Sequence, residues 1–189
     1  MTGRRDDVEA IGAMLAAEPS RDRALDLLLT HARRLTRAEA GTVYVRDRRH
    51  LWFAVTQNEV LARRLGAEAA QRALTEEPLL LQERSIASYV ALTRATVNVP
   101  DAYQIPLDRP YAFDRRVDDR LGYRTRSMLS MQLRDAHGRA WGVIQLINAT
   151  NEAGDDAPFD TRSETLVASL VACVSHVAPD RREEPEDEP

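Results

Sequence analysis

Residues 127–149 read SMLSMQLRDAHGRAWGVIQLINA, and the patterning of this stretch decides the fold class. SMLSMQL and WGVIQLIN have the length and composition of strands, and DAHG between them carries turn residues, so the two runs form a β-hairpin. Gln145 interrupts the apolar run Val143, Ile144, Leu146, Ile147, and alternation puts it on the face of Val143. A buried amide left unpaired costs about 1–3 kcal/mol, so Gln145 either lines a pocket or is a satisfied structural amide.

The same pattern recurs upstream. GTVYVRD (41–47) and LWFAVT (51–56) alternate and join at Asp47 to His50, which makes a second hairpin. Helices flank both hairpins. Val8, Ile11, Leu15 and Ala16 recur at helical spacing within residues 4–18, and Pro19 closes that segment. Ser20 suits the N-cap of a longer helix with the stripe Ala24, Leu25, Leu28, Ala32, Leu35; Asp22 and Asp26 sit early and Arg33, Arg34 and Arg37 late, as the helix dipole favours. At the other end a helix is expected from Thr161 to Ala178, with Thr161 and Glu164 at capping-box spacing and a stripe of Leu166, Val167, Leu170, Val171 and Val174. In the middle, residues 59–75 read as helical or irregular, PLLLQ as a short edge strand that Pro78 can only begin, and SIASYVALT as a helix from Ser85. The order α, ββ, a loop-rich middle with an embedded helix, ββ, α predicts an α+β domain, an antiparallel sheet with helices on one face.

A length of 189 residues, 43% of them hydrophobic, suits one globular domain. The expected division is a helical extension (1–19), the domain (20–178) and a disordered tail (179–189). The tail PDRREEPEDEP holds six acidic groups against two Arg and nothing that could bury surface against chain entropy. Without it the net charge of −4 disappears, leaving 24 Arg against 24 Asp and Glu. A neutral body argues against a nucleic-acid partner, which needs a basic field. The chain has no run of about 18 apolar residues and its N-terminus has no secretory core, so no membrane partner and a cytoplasmic location are expected. Cys173 is the single cysteine, which excludes an intrachain disulfide and a thiolate zinc cluster. His31, His50, His137 and His176 are dispersed, and no nucleophile elbow, phosphate-binding glycine loop or zinc motif occurs. Neither an enzyme, a metal nor a cofactor is expected.

The blocks SIASYVALTRATVNVPDAY, VDDRLGYRTRSMLSMQL and GVIQLINA, in that order, resemble the GAF domains of cyclic-nucleotide phosphodiesterases, adenylate cyclases and bacterial HD-GYP proteins, over about residues 22–178. The resemblance implies a GAF-like sheet with the N- and C-terminal helices on one face and a ligand pocket on the other. It also implies an Asn-Lys, Phe, Asp-Glu signature whose Lys and Asp pair. Asn148, Phe159 and Glu164 match it, while Ala149 and Ser163 stand where the Lys and Asp would be. Both partners of the pair are replaced together, so no buried charge is stranded. Cys173 lies outside the expected pocket, which argues against bilin attachment, and the several pocket cysteines of the free methionine sulfoxide reductase branch are missing.

Candidate ligand contacts follow from the same resemblance. Thr42 matches a polar first-strand position, Thr56 and Gln57 match second-strand positions at the same end, and Gln145 matches a position facing the ligand. Ser85, Ile86 and Ala87 open the middle helix, where unpaired N–H groups and the dipole suit an anion; the alternative is a plain N-capped helix. Asp118 and Thr125 match nucleotide contacts in a lid, DRPYAFDRRVDDRLGYRTR, which holds six Arg against four Asp with Tyr111, Phe113 and Tyr123 among them. That mixture suits closure on an anionic, partly aromatic ligand or a solvated charge network. Two functions are therefore carried forward. One is a sensory domain binding a small molecule, with cyclic AMP or cyclic GMP as the expected class, that signals by homodimerisation or to a partner protein, since no effector domain lies in these residues. The other is a dimerisation or interaction module whose pocket has degenerated.

Overall fold

The computed structural model describes residues 3–178 apart from Glu76 and Glu83, with side chains described from residue 7 onward. The acidic tail expected at 179–189 lies outside the described residues. In chain order the elements are α1 (Gly3–Ala17), α2 (Arg21–Thr36), β1 (Ala38–Arg46), β2 (His50–Asn58), α3 (Glu59–Leu65), α4 (Ala67–Leu74), β3 (Leu79–Leu80), α5 (Ile86–Leu92), β4 (Val97–Val99), α6 (Arg116–Leu121), β5 (Met128–Arg134), β6 (Ala140–Thr150), β7 (Asp156–Ala157) and α7 (Thr161–Ala172). The strands form one sheet in the order β3-β2-β1-β6-β5-β4, every named pair antiparallel, with β7 on the end of β6. This is the α+β class that the two hairpins predict. β4 and β7 are too short to show an alternating pattern, and residues 59–75 resolve into α3 and α4.

Because β1, β5 and β6 are buried on both faces, successive residues commit to opposite cores. Val43, Ile144, Leu146, Leu129, Met131 and Leu133 join Leu25, Leu28 and Leu29 of α2 and Val167 and Leu170 of α7 on the helical face. Tyr44, Val143, Met128, Val97 and Val99 join Ile86, Ala87, Val90 and Ala91 of α5 on the other. Ile11 and Leu15 of α1 lie in the helical-face core, so this part of α1 packs with α2 and α7.

One bulge shapes the second face. Val43 pairs with Val55 but Tyr44 pairs with Phe53, leaving Ala54 unopposed on β2. Leu51, Phe53 and Thr56 thereby turn the same way. Between β1 and β6 the chains approach closely. A Cβ on Gly142 would fall 2.4 Å from the Tyr44 carbonyl oxygen, and one on Gly41 would fall 2.9 Å from that of Gln145.

The last helix departs from expectation. Asp160, not Thr161, is its N-cap, and α7 ends at Ala172 with a separate 3₁₀ turn at Ser175–Val177. Glu164 sits one residue too far along to close a capping box and instead accepts from Asn98 Nδ2 at 2.7 Å. The same Nδ2 donates to the Phe159 carbonyl at 2.9 Å, so β4 and α7 are tied together.

Two outcomes follow. G142A should separate β1 from β6 and cost about 1–3 kcal/mol, as overpacking of a filled core does, read as a fall in Tm of several degrees. The Ser163 hydroxyl and N–H, both 2.7 Å from Asp160 Oδ1, hold that carboxyl below the usual carboxylate range. A lowered folded value means a cap present above the unfolded carboxylate range and lost as pH falls through the lowered value. D160A should therefore cost about 1 kcal/mol at neutral pH, and thermal denaturation should find that difference shrinking as the pH falls below the ordinary carboxylate range.

Candidate functional site

Four polar side chains line up across the α5 face of the sheet. Thr56 on β2 pairs with Thr42 on β1, Thr42 with Gln145 on β6, and Gln145 with Ser130 on β5. Partners in register project to the same side, so the four form a row running across the strands. Thr42, Gln145 and Ser130 are buried, and Gln145 Nε2 lies 3.0 Å from Ser130 Oγ. The Thr56 hydroxyl is buried with no hydrogen-bond partner among the described residues. Tyr44 flanks the row; burial pushes its phenol up, opposed by a hydrogen bond with Thr42. The row carries no formal charge.

Three residues read as ligand contacts, Thr42, Thr56 and Gln145, thus come together. Ser130 joins them although the sequence reading passed it over; it is the polar break in SMLSMQL that mirrors Gln145 in the facing strand. Gln57 does not join them. Next to Thr56 on the same strand, it points to the opposite face, where Oε1 accepts from Arg33 Nη1 at 2.8 Å and Nε2 donates to Thr30 Oγ1 at 2.8 Å and Asp26 Oδ1 at 3.0 Å. It fastens β2 to α2.

Ser85 is the N-cap of α5: its hydroxyl accepts from Ser88 N at 3.0 Å and lies 2.8 Å from Ser88 Oγ, which reaches the Leu80 carbonyl at 3.0 Å. The side chains of Ile86 and Ala87 are spent in the apolar core. What these two positions could offer a ligand is backbone, and Ser85 beside them forms a parallel bridge with Ala112, whose N–H donates to the Arg84 carbonyl at 2.6 Å. The other end of α5 is held by Arg46 Nη1 and Gln132 Nε2, each 3.0 Å from the Ala91 carbonyl.

Residues 101–125 cover this face. Tyr111 meets Tyr89 of α5 with ring centroids 5.1 Å apart, and Phe113 meets Tyr103 at 5.4 Å. Asp118, 3% exposed, is the hub: it accepts from Thr125 N at 2.6 Å, Thr125 Oγ1 at 3.0 Å and the Tyr103 hydroxyl at 3.0 Å. Asp118 and Thr125, read as ligand contacts, therefore satisfy each other. The guanidinium groups of Arg124 and Arg115 lie 3.5 and 4.2 Å from the Tyr103 ring centroid. Burial, followed by the Asp118 carboxylate, raises the Tyr103 phenol. Arg116 pairs with Asp114 and Arg124 with Asp101 inside this segment, and Arg126, just beyond it, pairs with Asp156 of β7.

The covering segment is sewn to the sheet by Asn148, which has φ 57° at the end of β6. Its Oδ1 accepts from Arg126 N at 2.7 Å, and its Nδ2 donates to the Arg124 carbonyl at 2.9 Å, the Tyr123 hydroxyl at 3.1 Å and Glu39 Oε1 at 3.2 Å. Ala149 beside it is buried in the helical-face core with Phe159, and Ser163 is engaged by Asp160, so no charge is stranded where the signature pair would be.

The GAF domain family model matches residues 20–176. The chain belongs to the GAF domain family. Two curated relatives are phosphodiesterases. The Drosophila melanogaster dual 3',5'-cyclic-AMP and -GMP phosphodiesterase 11 is 41% identical over 85 residues, 45% of this chain and 6% of that protein. The Drosophila ananassae cGMP-specific 3',5'-cyclic phosphodiesterase is 30% identical over 131 residues, 66% of this chain and 10% of that protein. The chain thus spans a tenth or less of the length of these relatives. Among solved structures, the GAF domain from an Acinetobacter phosphoenolpyruvate-protein phosphotransferase shares the fold at a TM-score of 0.68 and 15% identity, with both chains fully covered. Among the described residues no helix is long and apolar enough to cross a membrane, and no group of three or more His, Cys, Asp or Glu could hold a metal ion.

Removing the hub carboxylate of this GAF domain should free its cover. D118A leaves the Thr125 N–H and the Tyr103 hydroxyl without their acceptor, a loss of about 1–3 kcal/mol. Limited trypsin digestion should then cut at Arg115, Arg116, Arg120 or Arg124 well before the sheet unfolds, with far-UV circular dichroism unchanged.

Proposed function

We propose that this GAF domain is a receptor, not an enzyme, which binds a small molecule of the cyclic-nucleotide class between the sheet and the 101–125 cover and signals through its helices. The observation that carries the reading is the neutral row Thr56, Thr42, Gln145, Ser130 on the α5 face, three of its members buried and the fourth, Thr56, keeping a buried hydroxyl without a hydrogen-bond partner among the described residues. Leaving a polar atom in that state costs stability, which a ligand hydrogen bond offsets. Thr42, Thr56 and Gln145 would meet a heterocycle, and the backbone of Ile86 and Ala87 a phosphate. The two phosphodiesterase relatives, named for their action on cyclic AMP and cyclic GMP, support the ligand class.

Transmission would pass through α1, α2 and α7, whose inner faces share a core with the sheet. α1 leaves Ala10, Ala13, Met14 and Ala17 exposed at helical spacing, a surface suited to a second copy or a partner protein. The protein would work in the cytoplasm.

A second reading, an interaction module with a degenerate pocket, is favoured by one feature: Asp118 and Thr125 are consumed by each other and by Tyr103.

A thermal-shift screen against cyclic AMP, cyclic GMP, cyclic dinucleotides, purines and nitrate separates the two. A ligand at a hundred times its dissociation constant adds about 2.7 kcal/mol, and at least one compound should raise Tm by several degrees. Q145L should abolish that rise while the unliganded Tm stays within a few degrees. A flat screen with an unchanged oligomeric state leaves the module reading in place.

A further inference from the structure

The neutral balance of the body hides a segregated charge. The turns at 46–50 and 134–140 lie at one end of the sheet, because Val45 pairs with Gly142 between them. α5 ends there too: Arg46 Nη1 and Gln132 Nε2 both reach the Ala91 carbonyl, while Arg134 donates through Nε to Gln132 Oε1 at 2.9 Å and through Nη2 to the Arg94 carbonyl at 3.2 Å. This end holds Arg46, Arg48, Arg49, Arg94, Arg134 and Arg139 against Asp47 and Asp135, six cations against two anions, a charge of +4. Residues 1–178 balance 24 Arg with 24 Asp and Glu, so the rest of the body, 18 Arg against 22 acids, carries −4.

Both aspartates are already engaged. Asp47 accepts from Arg49 N at 2.7 Å, His50 N at 2.6 Å and Trp52 Nε1 at 2.7 Å, and Asp135 pairs with Arg139 at 2.6 Å. Arg46, Arg49, Arg94 and Arg134 form no ion pair among the described residues. Backbone carbonyls orient Arg46 and Arg134 without cancelling their charge, and Arg49 and Arg94 are exposed. Cations gathered in this way repel one another and attract an anion. The chain carries such an anion. Residues 179–189, PDRREEPEDEP, hold six acids against two Arg, a charge of −4. They follow Ala178, which packs against the helical core. Eleven residues extend to at most about 36–40 Å, as long as β6, the eleven-residue strand that runs the length of the sheet. The −4 remainder of the body repels this segment, and its tether holds it at a millimolar effective concentration beside the one end that attracts it.

We propose that the arginine-rich end formed by the two turns and the end of α5 is a docking surface for the acidic segment 179–189 of the same chain, which an outside acidic partner must displace. The proposal does not depend on the receptor reading. Trp52, held by Asp47, marks the surface. In the full chain carrying C173S and P189C, a dansyl group on the new thiol accepts excitation energy from the tryptophan. Transfer should fall at least about twofold when salt is raised to half-molar, since exposed charges are then screened. R49E with R94E, at two exposed side chains that hold no other part of the fold, should lower transfer as far at low salt and leave Tm unchanged. Replacing the six acids (D180N, E183Q, E184Q, E186Q, D187N, E188Q) should raise the affinity of the otherwise unaltered chain for a deca-glutamate peptide about tenfold, by removing the tethered competitor. Transfer indifferent to salt or to R49E with R94E overturns the proposal. So does transfer that fades on dilution, which would seat the segment of a second copy. Deca-glutamate binding that needs Arg49 and Arg94 but ignores the six acids also overturns it, and would give the surface to an outside acidic partner alone.

Discussion

The pairing of β1 with β6 is the contact on which the rest of the structure depends. It places Thr42 opposite Gln145 and Val43 opposite Ile144, and in doing so assigns every second residue of both strands to one of two cores. Gly41 and Gly142 permit the approach, since a Cβ at either would meet the partner strand's backbone. A slip of one residue would send the polar row into the helical core and the apolar stripe under the cover. Register is therefore set as strongly by what must stay dry on one face as by what must stay polar on the other.

The two faces differ in what completes them. On the helical face α1, α2 and α7 fill the space largely with aliphatic side chains, and the buried Arg33 of α2 reaches the Glu39 carbonyl, Gln57 and Glu59. On the opposite face a single seven-residue helix, α5, provides the helical packing, and short strands and loops provide the rest. That unequal division gives one layer of packed helices and one assembled from several short pieces.

Local chemistry explains why some site residues were legible and others were not. Gln145 announces itself as a polar break in an apolar strand, and Thr42 by alternation. Ser130 carries the same signal in a weaker form, because serine in SMLSMQL is easily taken for ordinary strand composition. Thr56 and Gln57 are neighbours and could not both face one pocket; the bulge at Ala54 decided between them, since it restores Thr56 to the face of Phe53 and sends Gln57 to α2. No residue type at position 54 declares such a bulge. Asp118 reads as an anion awaiting a ligand until Tyr103, fifteen positions upstream, is found on its carboxylate.

By itself the sequence determined the α+β class, the two hairpins, the helical stripe of α2, the polar interruption at Gln145 and the GAF family likeness, because each rests on residues close in the chain or on periodicity. Only the tertiary structure decided the strand order, the side taken by Gln57, the cap at Asp160, the closure of Asp118 on Thr125 and Tyr103, and the partners of Arg33. Those depend on which distant backbone carbonyls and side chains meet, and an arginine's partner is chosen by where its long side chain arrives, not by its neighbours in sequence.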